Sequence, residues 1–369
     1  MTHPYQNLPK SAYWKTAVSD LNPLESSDLW IPKHALGPDD QAVTFGSCFA
    51  QHLSRALIKN GFGWLDAEPG PELASNELKI RHNYGVFSAR TGNIYTTKAL
   101  RQWLEWATNI SPVPAEIWEK DGRYYDPFRP TIEPIGFASV QELNESRSLT
   151  FGALKRAVRE CSVFVFTLGL TEAWESRTHG YAYATCPGTN AGTFDPTQHI
   201  FVNYDYIAVH AELSASFQLL RKLNPSVQIL LTVSPVPLTA TAAGHHVLVS
   251  STYSKSVLRA VAGSLADSDP KVDYFPSYEI ITAPSFRGMF FNPNMRTVSP
   301  RGVEFVMEHF LQKQVSSKMN VSVAPNESSS KLGNATVQAS SEKIETTEDD
   351  IKCEEAMLAA FAPTTGERS

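Results

Sequence analysis

The sequence predicts an α/β fold, a three-layer sandwich of helices around a mainly parallel central sheet. The first observation is a set of short, continuous apolar runs, the pattern of strands that are covered on both faces. The second is that these runs alternate with segments whose apolar residues recur at helical spacing. Strands and helices that alternate in this way build βα units, so a parallel sheet is expected.

The predicted elements follow one another in a regular order. "QAVTF" is the first strand and starts at Gln41, and the helix "FAQHLSRALIKNGF" follows it and ends at Gly61 and Gly63. Further strands are predicted in "CSVFVFTLG", "VQILLTVSP" and "VDYFPSYEII". Further helices are predicted in "AVHAELSASFQLLRKLNP", "STYSKSVLRAVAGSLA" and "PRGVEFVMEHFLQK".

Composition divides the chain into three parts. Residues 1–37 are predicted to be an irregular lead-in, and residues 38–314 to be the folded domain. An insertion over about residues 68–149 is rich in Pro, Tyr and Arg, and we expect it to pack over one end of the sheet. Residues 315–369 are rich in Ser, Thr, Glu, Lys and Asn, which predicts a disordered polar tail with a short helix in "DIKCEEAMLAAFA".

Charge and cysteine content argue against several classes of protein. The formal net charge of −6, without a dense Lys/Arg block, argues against a nucleic-acid partner. The four cysteines form no CxxC pair and no His/Asp/Glu cluster has metal-ligand spacing, so we expect no metal and no other cofactor. The N-terminus lacks a secretory pattern and no apolar run reaches membrane-spanning length. We therefore expect a cytoplasmic protein with no transmembrane segment.

The turn after the first strand carries the strongest candidate for a nucleophile. Ser47 follows Gly46 directly and stands where the first helix begins, so free backbone N–H groups lie beside it. The plain alternative is that Ser47 only caps the helix, which stabilises a helix by about 1 kcal/mol. Cys48 is a competing nucleophile, because a helix N-terminus lowers the pKa of a thiol. Adjacent residues on such a turn point in different directions, and Ser47 is preferred because it follows the glycine.

Two further loops are expected at the same edge of the sheet as Ser47. In open α/β sheets, ligands bind beyond the carboxyl ends of the strands. Residues 169–172 and 234–237 follow the next two predicted strands of the sheet. These three loops therefore predict a pocket.

Several separate motifs resemble one known family. They are "FGSCFAQHL", "FSARTGNIYTTKAL", "FTLGLTEAW", "TVSPVPL", "YSKSVLRA" and "YFPSYEIIT", and they occur in the same order over about residues 38–312. On these motifs the chain is identified as a member of the GSCFA domain family, which is grouped with the SGNH/GDSL-like hydrolases. The resemblance implies a flavodoxin-like sandwich and chemistry on ester bonds.

The resemblance also implies roles for particular residues. Ser47 matches the nucleophile of the SGNH pattern, and Thr171 replaces the asparagine that usually donates to the oxyanion. Asn294 and Thr297 stand where these enzymes carry Asp-x-x-His, and neither side chain is a general base near neutral pH. The oxyanion and substrate-binding positions are then expected at seven residues: Gly46, Cys48, Asn83, Gly85, Gly169, Thr171 and His245.

A base must therefore come from elsewhere in the chain. His246, with His245 in reserve, follows the loop that leaves the "LLTVSP" strand at the predicted pocket edge, and an imidazole can accept the seryl proton. Glu172 is the expected partner of this histidine, although a solvated glutamate in the first turn of a helix explains it equally well. Lys255 qualifies as a base only if it is buried.

The predicted function is acyl-ester chemistry through a seryl intermediate. Ser47 attacks the ester carbonyl, His246 carries the proton and Glu172 orients the histidine. Water as acceptor gives an esterase, and a sugar hydroxyl gives an O-acyltransferase. The relatives imply a carbohydrate or small acyl ester as substrate. The alternative is a non-catalytic glycan- or acyl-binding module, which the missing Asp-x-x-His favours.

Overall fold

The centre of the molecule is a parallel sheet of five strands. The computed structural model describes residues 3–321, 351 and 353–362. The strands of the sheet are β1 (Gln41–Gly46), β2 (Gly63–Trp64), β5 (Val163–Leu168), β8 (Gln228–Val233) and β9 (Val272–Phe275). Their spatial order is β2-β1-β5-β8-β9, which, counted within the sheet alone, is the 2-1-3-4-5 order of doubly wound folds. The predicted α/β fold with a parallel sheet is confirmed.

Helices cover both faces of the sheet, and two small antiparallel pairs lie outside it. The helices are α1 (Ala50–Lys59), α2 (Asn76–Arg81), α3 (Thr97–Ala107), α4 (Val140–Glu160), α5 (Tyr206–Leu223), α6 (Val247–Ser268), α7 (Ser277–Thr282) and α8 (Pro300–Val321). The antiparallel pairs are β3 (Trp118–Lys120) with β4 (Arg123–Tyr125), and β6 (Glu172–Ser176) with β7 (His199–Asn203). Within the described residues, no helix combines the length and the apolar character that a membrane span needs.

The core forms two layers because successive residues of each strand point to opposite faces. Phe164 and Phe166 of β5 are buried against the layer that contains α3, α4, α5 and α6. Val163 and Val165 are buried on the other face, with α1, α7 and α8. Every residue of β5 is therefore buried, which explains why its sequence is apolar except for Thr167.

The structure differs from the predicted elements in the C-terminal part of the chain. The strand predicted over "VDYFPSYEII" ends at Phe275, because Pro276 has no N–H to continue the ladder, and α7 follows. In the predicted disordered tail, α8 continues to Val321, and a short 3₁₀ helix spans Glu354–Phe361. The tail prediction for residues 322–350 falls outside the described residues.

The insertion contains a fully buried ion cluster, here called the Asp126 cluster (Asp126, Arg129, Arg147, Ser146 and Thr150). Both carboxylate oxygens of Asp126 accept from guanidinium groups, with Arg129 Nε at 2.9 Å and Arg147 Nη2 at 2.9 Å. Arg129 also donates to Thr150 Oγ1 at 2.7 Å and to Ser146 Oγ at 3.1 Å. Burial alone raises the pKa of Asp126, but the two arginines reverse this and hold the pKa below its ordinary value. The cluster ties α4 to the loop before it.

Candidate functional site

The turn after β1 can be formed only by glycine at position 46. Gly46 has a φ of 120°, and a Cβ there would lie 2.3 Å from the backbone oxygen of Thr167 on the neighbouring strand. The next residue, Ser47, continues the strand pairing because its N–H donates to the same oxygen at 2.9 Å. Ser47 O then accepts from Ala50 N at 2.9 Å, so the chain turns directly into α1.

The hydroxyl of Ser47 is buried and lacks a hydrogen-bond partner among the described residues. Ser47 is 2% exposed, and its Cβ packs against Gly169, where a side chain would lie 3.1 Å away. Most buried polar side chains are hydrogen-bonded, so such an orphan marks either a strained site or the place of an absent partner. Ser47 therefore occupies the predicted position at the sheet edge, without a base beside it.

The loop after β5 meets Ser47 but has little free donor capacity. Gly169 N and Leu170 N both donate to Tyr95 O at 3.1 Å, and Thr171 Oγ1 donates to Asn203 Oδ1 at 2.6 Å. The N–H of Ser47 is also engaged, as described above. The predicted oxyanion role of Gly169, and that of Thr171 in place of the usual asparagine, would each require breaking one of these bonds.

The other predicted binding residues are dispersed. Asn83 uses its amide to donate to Thr131 O at 3.0 Å, and its backbone is left-handed with a φ of 61°, so it braces a loop. Gly85 is likewise left-handed, with a φ of 68°. His245 is exposed on the loop before α6. No hydrogen bond connects these three residues to Ser47 in the described structure, and their oxyanion roles stay predictions.

Glu172 is the first residue of β6 and is buried, so it is not a solvated glutamate in the first turn of a helix. Its Oε1 accepts from Thr241 Oγ1 at 2.6 Å, and Thr241 belongs to the loop that leads to His246. Burial raises the pKa of Glu172, and hydrogen bonds from Thr241 and from the backbone of Ala242 offset part of that effect. Glu172 thus faces the loop of the predicted base, although no bond joins it to the histidine.

His246 caps α6 with its own side chain. Its Nδ1 accepts from Leu248 N at 3.1 Å, and the residue is exposed. A ring nitrogen that accepts a bond has no proton, so in the neutral ring the proton is on Nε2. In this arrangement neither nitrogen can take a proton from Ser47. His246 must leave the cap before it can act as the predicted base.

Asn294 and Thr297 form a local turn, and none of their described hydrogen bonds goes to Ser47. Asn294 Oδ1 accepts from the N–H of Arg296 at 2.9 Å and from that of Thr297 at 3.0 Å. This Asx turn gives both residues a conformational role. Their positions therefore supply no base to Ser47.

Lys255 is a site residue whose burial the sequence did not show. It is 4% exposed on α6, and its Nζ donates to Gly169 O at 2.5 Å. Gly169 also packs on Ser47, so it lies between this amine and the candidate nucleophile. The helical periodicity of α6 places position 255 on the inner face of the helix, and this was the signal that could have found it.

The C-terminal segment, defined here as Cys353–Ala362, reaches the same region. The Glu354 side chain is buried, and its carboxylate contacts Asn93, Tyr95 and Thr131. Asn93 and Tyr95 belong to the "GNIYTT" motif, whose role the sequence alone did not reveal. Nothing in the sequence signals that residue 354 lies against this motif.

Cys353 and Cys48 meet at the start of α1. Tyr95 Oη lies 3.7 Å from Cys353 Sγ. A hydrogen bond from the Cys48 side chain lowers the pKa of Cys353 to about 6, and burial opposes this shift. Cys48 itself is buried. The side chain that follows Ser47 therefore contacts the C-terminal segment.

A cavity of about 530 Å³ lies beside these groups. Tyr95, Leu170 and Glu172 line one part of it, and apolar side chains of α3 line another. Leu358 and Phe361 of the C-terminal segment contribute to the wall. Within the described part of the chain, no group of His, Cys, Asp and Glu side chains is arranged to hold a metal ion.

Three comparisons relate this chain to known proteins. Two solved structures are similar to this chain at low identity. An acetyl esterase mutant with an acetate ion has 10% identity and a TM-score of 0.36, with 77% of this chain and 100% of that chain covered. A family 3 carbohydrate esterase of Clostridium thermocellum has 11% identity and a TM-score of 0.32, with 77% and 99% covered. A comparison with the curated proteins gives no match.

The family model for GSCFA matches residues 41–310, from the first strand of the sheet into α8. This range includes the Ser47 turn, the insertion and the loops after β5 and β8. On this match, and on the fold that accompanies it, the chain belongs to the GSCFA family.

Proposed function

We propose that this protein is a serine-dependent acyl-ester hydrolase or O-acyltransferase with Ser47 as nucleophile. The observation that carries the proposal is the geometry of the Ser47 turn. A glycine that no other residue can replace places a serine at the C-terminal edge of a parallel sheet, two residues before Phe49, the N-cap of α1. Its hydroxyl is spared from structural hydrogen bonds and is therefore available for chemistry.

In the proposed reaction, Ser47 Oγ attacks the ester carbonyl and its proton passes to His246 once this ring has left the helix cap. Glu172 orients the histidine from the neighbouring loop. The protonated histidine returns the proton to the leaving alcohol, and an acyl-serine remains. Water then releases a free acid, whereas a sugar hydroxyl gives a new ester. A carbohydrate or small acyl ester is the proposed substrate class, and the 530 Å³ cavity has space for a small acyl or sugar group.

The buried amine of Lys255 is the rival proton acceptor. It needs no movement of the 239–246 loop, because it already contacts the residue that packs on Ser47. His246→Ala and Lys255→Met separate the two assignments. Loss of acylation in only one variant identifies the base, provided that both variants retain the circular dichroism of the parent.

The test of the nucleophile is labelling with a fluorophosphonate, followed by intact mass measurement. We expect one adduct in the parent protein and in Cys48→Ser, and none in Ser47→Ala. An adduct lost only in Cys48→Ser would assign the nucleophile to the neighbouring thiol. Absence of any adduct in the folded parent and in Glu354→Gln would reject the hydrolase.

A non-catalytic binding module is the second candidate function. It is favoured by the engaged donors around Ser47 and by the position of His246, which leaves the serine without a histidine base in this conformation. A binding module would keep the cavity and bind an acyl or glycan group without turnover. Retention of an intact ester ligand after long incubation supports it, whereas appearance of the free acid contradicts it.

A further inference from the structure

The carboxylate of Glu354 is held in a built pocket. Its Oε2 accepts from Tyr95 Oη at 3.0 Å and from Asn93 Nδ2, and its Oε1 accepts from Thr131 Oγ1 at 2.8 Å. Glu354 is 4% exposed, and Asn93 is equally buried beside it. Hydrogen bonds to a charged acceptor are about twice as strong as neutral ones, so these three donors suit a carboxylate.

A glycine in the backbone beside this pocket leaves room for the carboxylate oxygen of Glu354. Gly92 has a φ of 66°, and a Cβ at this position would lie 3.2 Å from Glu354 Oε1. A side chain would therefore be strained by the backbone and crowded by the ligand. The turn places the side-chain amide of the next residue, Asn93, where it donates to the carboxylate. The pocket is thus made by one short turn, one tyrosine hydroxyl and one threonine hydroxyl.

The C-terminal segment depends on this one buried charge. Met357 is 44% exposed and Phe361 is 65% exposed, so these two apolar side chains bury little area, and Leu358 is only half-buried. Ordering a backbone costs about 1–2 kcal/mol for each residue, which is of the same size as one charge-assisted hydrogen bond. A segment held mainly through one carboxylate can therefore be displaced by another carboxylate.

The position of the segment matters for the Ser47 site. Cys353 lies against Cys48, which follows Ser47, and Leu358 and Phe361 line the 530 Å³ cavity. Tyr95, which holds Glu354, also contacts the loop beside Ser47, because its backbone oxygen accepts from Gly169 N. A ligand whose carboxylate bound Asn93, Tyr95 and Thr131 would compete with Glu354 for the same three donors.

We propose that Gly92, Asn93, Tyr95 and Thr131 form a carboxylate-binding subsite beside Ser47, which Glu354 occupies as an intramolecular ligand. The C-terminal segment then closes the cavity until a ligand with a free carboxylate displaces it. Where the subsite serves catalysis, this inference rests on the proposed function, and the substrate is an ester whose acyl or alcohol part carries a carboxylate. The segment is at the same time an inhibitor of the closed site.

The test uses the full chain and a peptide added in trans. The fluorescent peptide comprises residues 351–362, and binding is measured by anisotropy under reducing conditions. We expect the Glu354→Gln protein to bind the natural peptide on the order of tenfold more tightly than the parent does, because the parent holds its own segment. A peptide that carries the same Glu354→Gln change should bind the variant on the order of tenfold more weakly than the natural peptide.

Two controls keep the result unambiguous. Glu119→Gln removes one exposed negative charge elsewhere, and this variant should bind the peptide as the parent does. Glu354→Ala removes all acceptor atoms of the side chain, and amide hydrogen exchange over residues 353–362 should become faster than in the parent. Equal binding of the two peptides by Glu354→Gln, or unchanged exchange in Glu354→Ala, would overturn the proposal.

The readouts separate this proposal from the proposed hydrolase. Peptide binding and amide exchange do not require catalysis, whereas fluorophosphonate labelling reports on Ser47 alone. Tight peptide binding without an adduct would keep the subsite and remove the hydrolase. An adduct that forms equally fast in the parent and in Glu354→Ala would show that the segment does not close the site, and would overturn that part of the proposal while the hydrolase stands.

Discussion

The Asp126 cluster and the Ser47 turn bury polar side chains in opposite ways. In the cluster, Asp126 and Arg129 lie entirely inside the protein, and each makes several hydrogen bonds. At the Ser47 turn, by contrast, the buried hydroxyl has no partner in the described structure, and nor has Thr167 Oγ1 on the next strand.

The two regions show where the fold uses buried polar groups for stability and where it leaves them available for function. A buried network in which every group is paired fixes one conformation. A buried orphan costs free energy, and a stable protein tolerates it where function needs the group. The comparison therefore makes opposite predictions for polar deletions in the two regions.

The largest effect is expected for Arg147→Met, which breaks the cluster. Methionine keeps part of the side-chain volume but leaves the Asp126 carboxylate, buried among apolar groups, with one guanidinium instead of two. Breaking a buried pair in this way costs about 3–5 kcal/mol of the free energy of unfolding. Urea unfolding followed by tryptophan fluorescence measures the change.

Arg101→Met is the matched control for that substitution. Arg101 is 42% exposed and pairs with Glu105 one helical turn away and with Glu212 of α5, and exposed pairs of this kind contribute about 0.2–1 kcal/mol each. If both arginine variants lost the same stability, burial and pairing would not be what distinguishes the cluster.

Much of the central fold was predictable from the sequence. β1, β5 and β8 are buried on both faces, so their buried residues are apolar apart from one threonine in each, and their positions are visible without a structure. The pair formed by β6 and β7 was missed, because β6 reads "EAWES" and mixes two acidic residues with apolar ones. Its side chains pack on a loop and on the insertion, and periodicity does not report such contacts.

The site was predictable only where it depends on a local turn. Ser47 could be located because glycine, serine and a helix start stand together in the sequence. The pocket for Glu354 could not, because it joins residues 93, 131 and 354, which are far apart along the chain. The hydrogen bonding of the predicted base, His246, could not be predicted either, because its ring caps α6 and only the structure shows this cap.

A smaller effect, with the opposite sign to that of Arg147→Met, is expected for Ser47→Ala. The substitution removes a buried hydroxyl that has no partner, so the free energy of unfolding should rise by about 1 kcal/mol while labelling by fluorophosphonate is lost. The same chemical change in the cluster, Ser146→Ala, removes an acceptor of Arg129 and should lower stability by about 1 kcal/mol. Loss of stability in both serine variants would mean that Ser47 has a structural role that the described contacts do not include.

The smallest effect concerns the sign of pH dependence at Glu172. Burial raises its pKa, so the folded state favours the protonated carboxyl, and the associated stability is lost as the pH rises above the unfolded value of about 4.3. Asp126 behaves in the opposite way, because its lowered pKa contributes stability that is lost as the pH falls below about 3.9. Glu172→Gln keeps an acceptor for Thr241 but cannot ionise, so its melting temperature should fall less between pH 4 and pH 7 than that of the parent. The exposed Glu119→Gln should follow the parent, and an identical profile in Glu172→Gln would show that ionisation of Glu172 does not cost stability.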